Sequence, residues 1–288
     1  PNMQAVNIYG ARTVLCTSVS RRKMLTLDEN KETVTREMAG DERSRYYFGE
    51  NVGLLVFRPW YPCVITPGHQ ANMQTYDFPV RLKFVEQPFD DVPFHDSPDS
   101  NRGWNVAEWQ RRAQELQGEG VRAIVCGCGL TGMIQSHIQA AVEIPVFSST
   151  MLYVPEMVAA LPEGKRLGVI TVGESFLRGH DNALFRECGI DEETMPLAIA
   201  GMYESDWVDE WASMAAGDYD HAVVGGALVK VAKQLVADYP DIGSILFECT
   251  DMPPWSVAVR EATGLPVFDP VDMVKRVNAE HSWELKPS

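Results

Sequence analysis

Two cysteines stand where a thiol could move a proton at carbon. Cys128 lies in Val121–Phe147, VRAIVCGCGLTGMIQSHIQAAVEIPVF, and Cys249 in Gly243–Phe268, GSILFECTDMPPWSVAVREATGLPVF. Each follows a β-type apolar run, Ala123–Val125 in one copy and Ile245–Phe247 in the other. Each is followed by a short polar turn, a helix-like segment and a Pro-Val-Phe entry to a new strand. Cys128 and Pro145 are 17 positions apart, as are Cys249 and Pro266. Taking a proton from carbon beside a carboxylate needs a base within hydrogen-bond reach and a site that stabilises the carbanion. A free thiol titrates near about 8.5 and a helix N-terminus lowers that value, so each cysteine is expected to be within reach of the thiolate form. Racemisation demands two such groups, one to remove the proton and one to return it on the opposite face. An eliminating lyase needs one base, and a decarboxylase one proton donor.

Other side chains near these turns have two readings each. Asp251 follows Cys249 by two positions and could orient the thiol or a water, or cap the helix from Met252 onward. Thr131 and Thr250 could donate to a substrate carboxylate from the turns, or cap them locally. Arg58, just past the first apolar run, could pair with an anionic substrate or form a surface ion pair. Cys126 invites a Cys-x-Cys metal reading, but no second pair or histidine stands at ligand spacing, so it reads as a buried strand residue, as do Cys16 and Cys188. Cys63 and His69 fall in the loop expected over the site, where His69 reads as an exposed loop histidine. His137 reads as a packing residue. Trp60 and Trp255 could wall a cationic group by cation–π contact, with core packing the favoured reading.

The elements that position these groups alternate. VGLLVF from Val52 is a continuous apolar run, as expected of a buried parallel strand. A Pro- and Gly-bearing loop follows, then TYDFPVRLKFV, which places Phe78, Val80, Leu82 and Phe84 on one strand face. Val106–Gln117 reads as a helix capped by Asn105. Beyond Phe147 come a helix (SSTMLYVPEMVAAL), a buried strand (KRLGVITVG), a helix ending at Gly189, an acidic helix (SDWVDEWASMAAG), a strand-like or turn segment (HAVVGG) and a helix (ALVKVAKQLVADY). Strands alternating with helices predict an α/β fold with parallel sheets, and ligands at the carboxyl ends of strands, where both cysteines lie. The expected division is 1–47 as an N-terminal extension, 48–146 plus 266–288 as lobe 1, and 147–265 as lobe 2. The polar extension reads as a surface arm or an oligomer-clasping segment.

The 288 residues can bury a substantial core. With 25 Lys plus Arg against 40 Asp plus Glu, the formal charge of −15 argues against nucleic acid and anionic membranes as partners, although a pocket's local field still permits a small anion. No secretory signal and no run of about 20 apolar residues is evident, so the chain reads as cytoplasmic. Six cysteines in a chain this long are too sparse for a disulfide framework, and free thiols are expected.

The Cys128-Gly129-Leu130-Thr131 and Glu248-Cys249-Thr250-Asp251 units resemble the two catalytic cysteine turns of the aspartate/glutamate racemase superfamily, and LGVITVGESF resembles that family's strand leading into a Thr/Ser-bearing turn. The likeness covers roughly residues 50–288. It implies two pseudo-symmetric Rossmann-like lobes with the active site in the cleft between them and no organic cofactor or metal. Cys128 and Cys249 would be the acid and base, with Thr131, Thr250, Asp251, Arg58, Gly129 and Ser175 binding substrate. Gly129 departs from the family's Cys-Asn-Thr, and the long TPGHQANMQTYDFPV insertion looks more like the branch that includes the algal dimethylsulfoniopropionate lyases. The expected activity is racemisation or isomerisation of a small, amino-acid-like carboxylate. A β-elimination lyase is the close rival and a non-catalytic two-lobe binding protein the weaker one. A homo-oligomer is expected, as is common for acidic α/β enzymes of this size.

Overall fold

A computed structural model of the chain describes residues 6–8, 11–13, 23–27, 33–37, 49–57, 65–86, 103–217 and 219–282. The chain divides into two compact units, Pro1–Arg45 and Tyr46–Ser288. Among its described residues the first carries four short antiparallel strands in sequence order: β1 (Val6–Ile8), β2 (Ala11–Thr13), β3 (Lys23–Leu27) and β4 (Thr33–Glu37). The expected extension, a surface arm or an oligomer-clasping segment, falls in this unit. Its Met24–Leu27 and Thr33–Thr35 runs are rich in the aliphatic and β-branched residues that strands favour.

The second unit holds two four-stranded sheets, both wholly parallel. One is ordered β6-β5-β7-β8, from β5 (Val52–Phe57), β6 (Val80–Val85), β7 (Ala123–Cys126) and β8 (Val146–Phe147). The other is ordered β10-β9-β11-β12, from β9 (Arg166–Thr171), β10 (Leu197–Gly201), β11 (Ile242–Phe247) and β12 (Val267–Phe268). The two orders correspond strand for strand. Among the described residues eight α-helices accompany them: α1 (Val106–Gly118), α2 (Gln135–Gln139), α3 (Val154–Ala160), α4 (Glu174–Glu187), α5 (Val208–Ala212), α6 (His221–Asp238), α7 (Ser256–Thr263) and α8 (Pro270–Glu280). Among the described residues no helix is long and apolar enough to cross a membrane.

The inner strands β5 and β7 of the first sheet are apolar on both faces, and helices cover both. Leu55, Ile124 and Cys126 pack with Trp109, Ala113 and Leu116 of α1, whose first turn is capped by the Asn105 side chain. On the opposite face Val52, Leu54, Ala123 and Val125 meet Met273, Val274 and Val277 of α8. β8 therefore closes the first sheet and β12 the second, while α8 returns from β12 to the first. Ile170, Ile245 and Phe247 pack with Val224, Leu228 and Val231 of α6 in the second lobe.

Two local expectations change. HAVVGG is the first two turns of α6, capped at Asp220, whose carboxylate accepts from Ala222 and Val223 N–H. Its Gly225 is a place of close approach rather than a turn: a Cβ there would overlap the Trp255 indole. In the TYDFPVRLKFV segment, β6 begins only at Val80, and Phe84 is 43% exposed, as an edge strand allows.

Candidate active site

Both cysteines leave the carboxyl ends of equivalent strands. After β7, Gly127 N–H donates to Leu55 O (2.7 Å), Cys128 is extended, and Gly129–Ile134 winds as a 3₁₀ turn. Thr131 is buried there, its hydroxyl 2.6 Å from Cys128 O and 2.7 Å from Ser148 O. One hydroxyl proton shared between two carbonyls holds the turn closed, so this side chain does capping work. After β11, Glu248 N–H donates to Ile170 O (3.0 Å), and a 3₁₀ turn at Pro253–Trp255 precedes α7. Thr250 crosses to the other turn, its hydroxyl donating to Gly127 O at 3.3 Å. A second bridge runs from the Thr150 hydroxyl to Phe247 O (2.9 Å).

The contact between the turns explains Gly129. A Cβ at this position would overlap both the side-chain Oε1 and the main-chain O of Glu248. The resembling family carries asparagine here, and in this chain the space belongs to a carboxyl group. Glu248 is 1% exposed, and its Oε2 accepts from the Thr171 hydroxyl at the end of β9 (2.8 Å). Burial pushes its carboxyl up to about 7, the Thr171 bond opposes this, and the Asp251 charge adds to it.

The thiols are raised, not lowered. Both cysteines are half-buried and free. Burial is the largest cause at Cys128, and the Glu248 charge adds to it against the backbone N–H groups of Leu130 and Thr131. At Cys249 burial again leads, followed by the charges of Asp251 and Glu248, with the Asp251 backbone N–H opposing. A helix dipole was expected to favour thiolate. Cys128 is followed by a six-residue 3₁₀ turn and the helical segment after Cys249 begins only at Pro253, so neither sulfur sits at the N-terminus of an α-helix, where the dipole acts most strongly. Desolvation and two carboxyl groups outweigh it.

His69 also departs from expectation. It is buried, 9% exposed, and its Nε2 lies 2.8 Å from Asp251 Oδ1 while Ala71 N–H donates to Nδ1 at 2.9 Å. With Nδ1 accepting, the ring proton sits on Nε2 and is donated to the carboxylate. The other carboxylate oxygen, Oδ2, is 3.9 Å from Cys249 Sγ. Tyr203, just past β10, stands at the rim, 46% exposed and edge-on to Phe176. Its hydroxyl is raised by burial and by the charges of Cys249 and Asp251.

Cys128, Cys249, Thr131, Thr250, Gly129 and Asp251 thus come together, and Glu248, His69 and Tyr203 join them. Ser175 is exposed at the start of α4, where its N–H and hydroxyl both donate to Glu204 Oε1. Arg58, Trp60, Cys63 and Cys16 lie outside the described residues. Cys126 and Cys188 are buried in the core. Trp255 is core as well, its indole N–H donating to His221 O (3.0 Å). Among the described residues no three His, Cys, Asp or Glu side chains are grouped to hold a metal ion.

Residues 86–276 match the family model described as Asp/Glu/Hydantoin racemase. Dimethylsulfoniopropionate lyase 7 of Emiliania huxleyi (strain CCMP1516) is 35% identical over 161 residues, covering 54% of this chain and 46% of that protein. The dimethylsulfoniopropionate lyase of Durusdinium sp. clade D is 31% identical over 153 residues, covering 53% and 50%. The chain spans about half the length of these curated relatives. A glycine-to-cysteine variant of arylmalonate decarboxylase in a sulfate-associated form shares the fold, with a TM-score of 0.53 at 16% identity over 82% of this chain and 96% of that one. Matched over most of its second unit, the chain belongs to the Asp/Glu/hydantoin racemase family of enzymes.

Proposed function

We propose that this chain is a β-elimination lyase in which Cys249 removes the proton next to a substrate carboxylate, and that its substrate is a β-sulfonium carboxylate such as dimethylsulfoniopropionate. The observation that carries this reading is the inequality of the two cysteine turns. Asp251, with His69 behind it, faces Cys249, whereas the residues following Cys128 are Gly129, Leu130 and Thr131. Racemisation asks each thiol to act as base in one direction and acid in the other, which matched surroundings serve. Elimination asks for one base.

The chemistry follows from the charges. Cys249 is held as a thiol by burial and by Asp251 and Glu248. A sulfonium entering this acidic cluster supplies the positive charge that favours the thiolate, and Asp251 Oδ2 is an acceptor facing the sulfur. The thiolate then takes the α-proton, the C–H electron pair forms the carbon–carbon double bond, and the C–S bond breaks with its pair leaving on sulfur. The proton first lost by the thiol goes to Asp251 Oδ2 and from there to solvent, so dimethylsulfoniopropionate would give dimethyl sulfide, acrylate, a neutral thiol and one released proton. The relatives named for this lyase activity support the substrate class.

A second reading, racemisation of a small amino-acid-like carboxylate through both thiols, is favoured by the equivalent strand-end positions of Cys128 and Cys249. Proton NMR in D₂O separates the two. The lyase releases acrylate and dimethyl sulfide from dimethylsulfoniopropionate. A racemase instead puts deuterium at the α-carbon of a recovered carboxylate. Absence of acrylate release together with α-exchange in an amino acid would replace the first reading by the second.

A further inference from the structure

His69 lies far in sequence from both cysteines, on the loop beyond the first sheet's central strand, yet it touches the second cysteine's turn. The loop is built to put it there. His69 N–H donates to Thr66 O (3.0 Å), Asn72 N–H to His69 O (3.1 Å), and the Thr75 hydroxyl to His69 O (2.9 Å). Gly68, at φ +98°, donates its N–H to the Thr75 hydroxyl, and its Cα side faces Pro254 so closely that a Cβ would come within 3.2 Å of the Pro254 Cα. Next to it, buried Gln70 donates to Cys126 O and Pro270 O, and the Tyr76 hydroxyl donates to Gln70 O. The ring itself has one nitrogen accepting and the other donating, which fixes both its tautomer and its angle.

We propose that His69 is a positioning residue for Cys249: its Nε2–H fixes the Asp251 carboxylate with Oδ2 turned toward the cysteine sulfur. This rests on Cys249 being the reacting thiol. Among the described residues the titratable groups facing Cys249 are Asp251 on its own turn, Glu248 at the end of β11, Cys128 on the other turn and Tyr203 past β10. Of these, Asp251 is the largest charged influence on the thiol. A donor on Oδ1 draws charge away from the carboxylate and stops it rotating, so His69 moderates that influence. The first lobe's loop thereby governs the second lobe's thiol.

The test uses the intact protein and no substrate, so its failure is separate from failure of the lyase reading. Iodoacetamide labelling of Cys249 is followed across pH by mass spectrometry, with Cys128 in the same molecule as the internal control. Asp251→Asn removes the charge and speeds labelling at fixed pH. His69→Leu leaves the charge unmoderated and slows it by about tenfold, the equivalent of one unit in the labelling midpoint. In the Asp251→Asn background His69→Leu has no further effect. His69→Gln and His69→Asn keep the test decisive should leucine prevent folding. The glutamine amide reaches Oδ1 from the Nε2 position and retains the wild-type midpoint, while the shorter asparagine does not reach and behaves like leucine. Equal midpoints for glutamine and asparagine, or a His69→Leu effect that persists without the Asp251 carboxylate, overturn the proposal.

Discussion

The two cysteine turns share a strand end, a 3₁₀ continuation and a Pro-Val-Phe exit, and differ in what occupies the four positions around the sulfur. The first has Gly127, Gly129, Leu130 and Thr131, with no ionisable side chain of its own. The second has Glu248, Thr250, Asp251 and Met252, and gains His69 from the other lobe. The two sides fit together: Gly129 on one turn makes room for the Glu248 carboxyl group of the other, and the Thr250 hydroxyl bonds across to Gly127 O. Duplicated topology therefore coexists with divided chemistry, in which one turn supplies space and the other supplies charge.

That division can be broken or sharpened by substitution. Cys249→Ser is expected to cut turnover about a thousandfold, as for loss of a general base, and Cys128→Ser much less. Equal losses in initial rate for the two variants would return the turns to equivalence.

Glu248 comes next. Its carboxyl is raised to about 7 in the folded protein, so stability tied to its protonated form is present at low pH and is lost as pH rises from the unfolded value through about 7. Glu248→Gln should therefore melt with wild type at pH 4 and be more stable at pH 8, by up to about 3 kcal/mol. A stability difference independent of pH would show that the carboxyl is not the titrating group.

Smaller effects separate positions 129 and 250, which correspond in the two turns. Gly129→Ala forces a Cβ into Glu248 and is expected to lower stability by about 1–3 kcal/mol in urea unfolding. Thr250→Ala removes one hydrogen bond to Gly127 O and should lower it by about 1 kcal/mol. A reversed order would mean that the glycine is not there to admit the carboxyl.

Much of this architecture is legible in the sequence because parallel strands buried on both faces leave continuous apolar runs, as in VGLLVF and AIVC, and because helix caps such as Asn105 use side chains of recognisable type. The start of α6 is not legible in this way, since Gly225 serves the Trp255 indole, a residue 30 positions on. The site was half readable. Strand-end cysteines are a local pattern, whereas His69 acquires its role through a contact 182 positions away. The sequence signal that could have raised it is its place in a glycine-bearing loop at the end of a buried strand. Glu248 could have been noticed as a charge directly ending an apolar strand. The direction of the thiol shifts could not, because desolvation depends on what surrounds each sulfur.

The helix that follows β12 has a consequence for how the lobes endure stress. Met273, Val274 and Val277 pack on β5 and β7 of the first sheet although they enter from the second, and burial of three such side chains contributes several kcal/mol, on the order of 1.5–3 each. Neither half could be excised with its hydrophobic interior intact. Heat or denaturant should therefore dissolve both halves in one event, and the pair of thiols would be assembled or lost together.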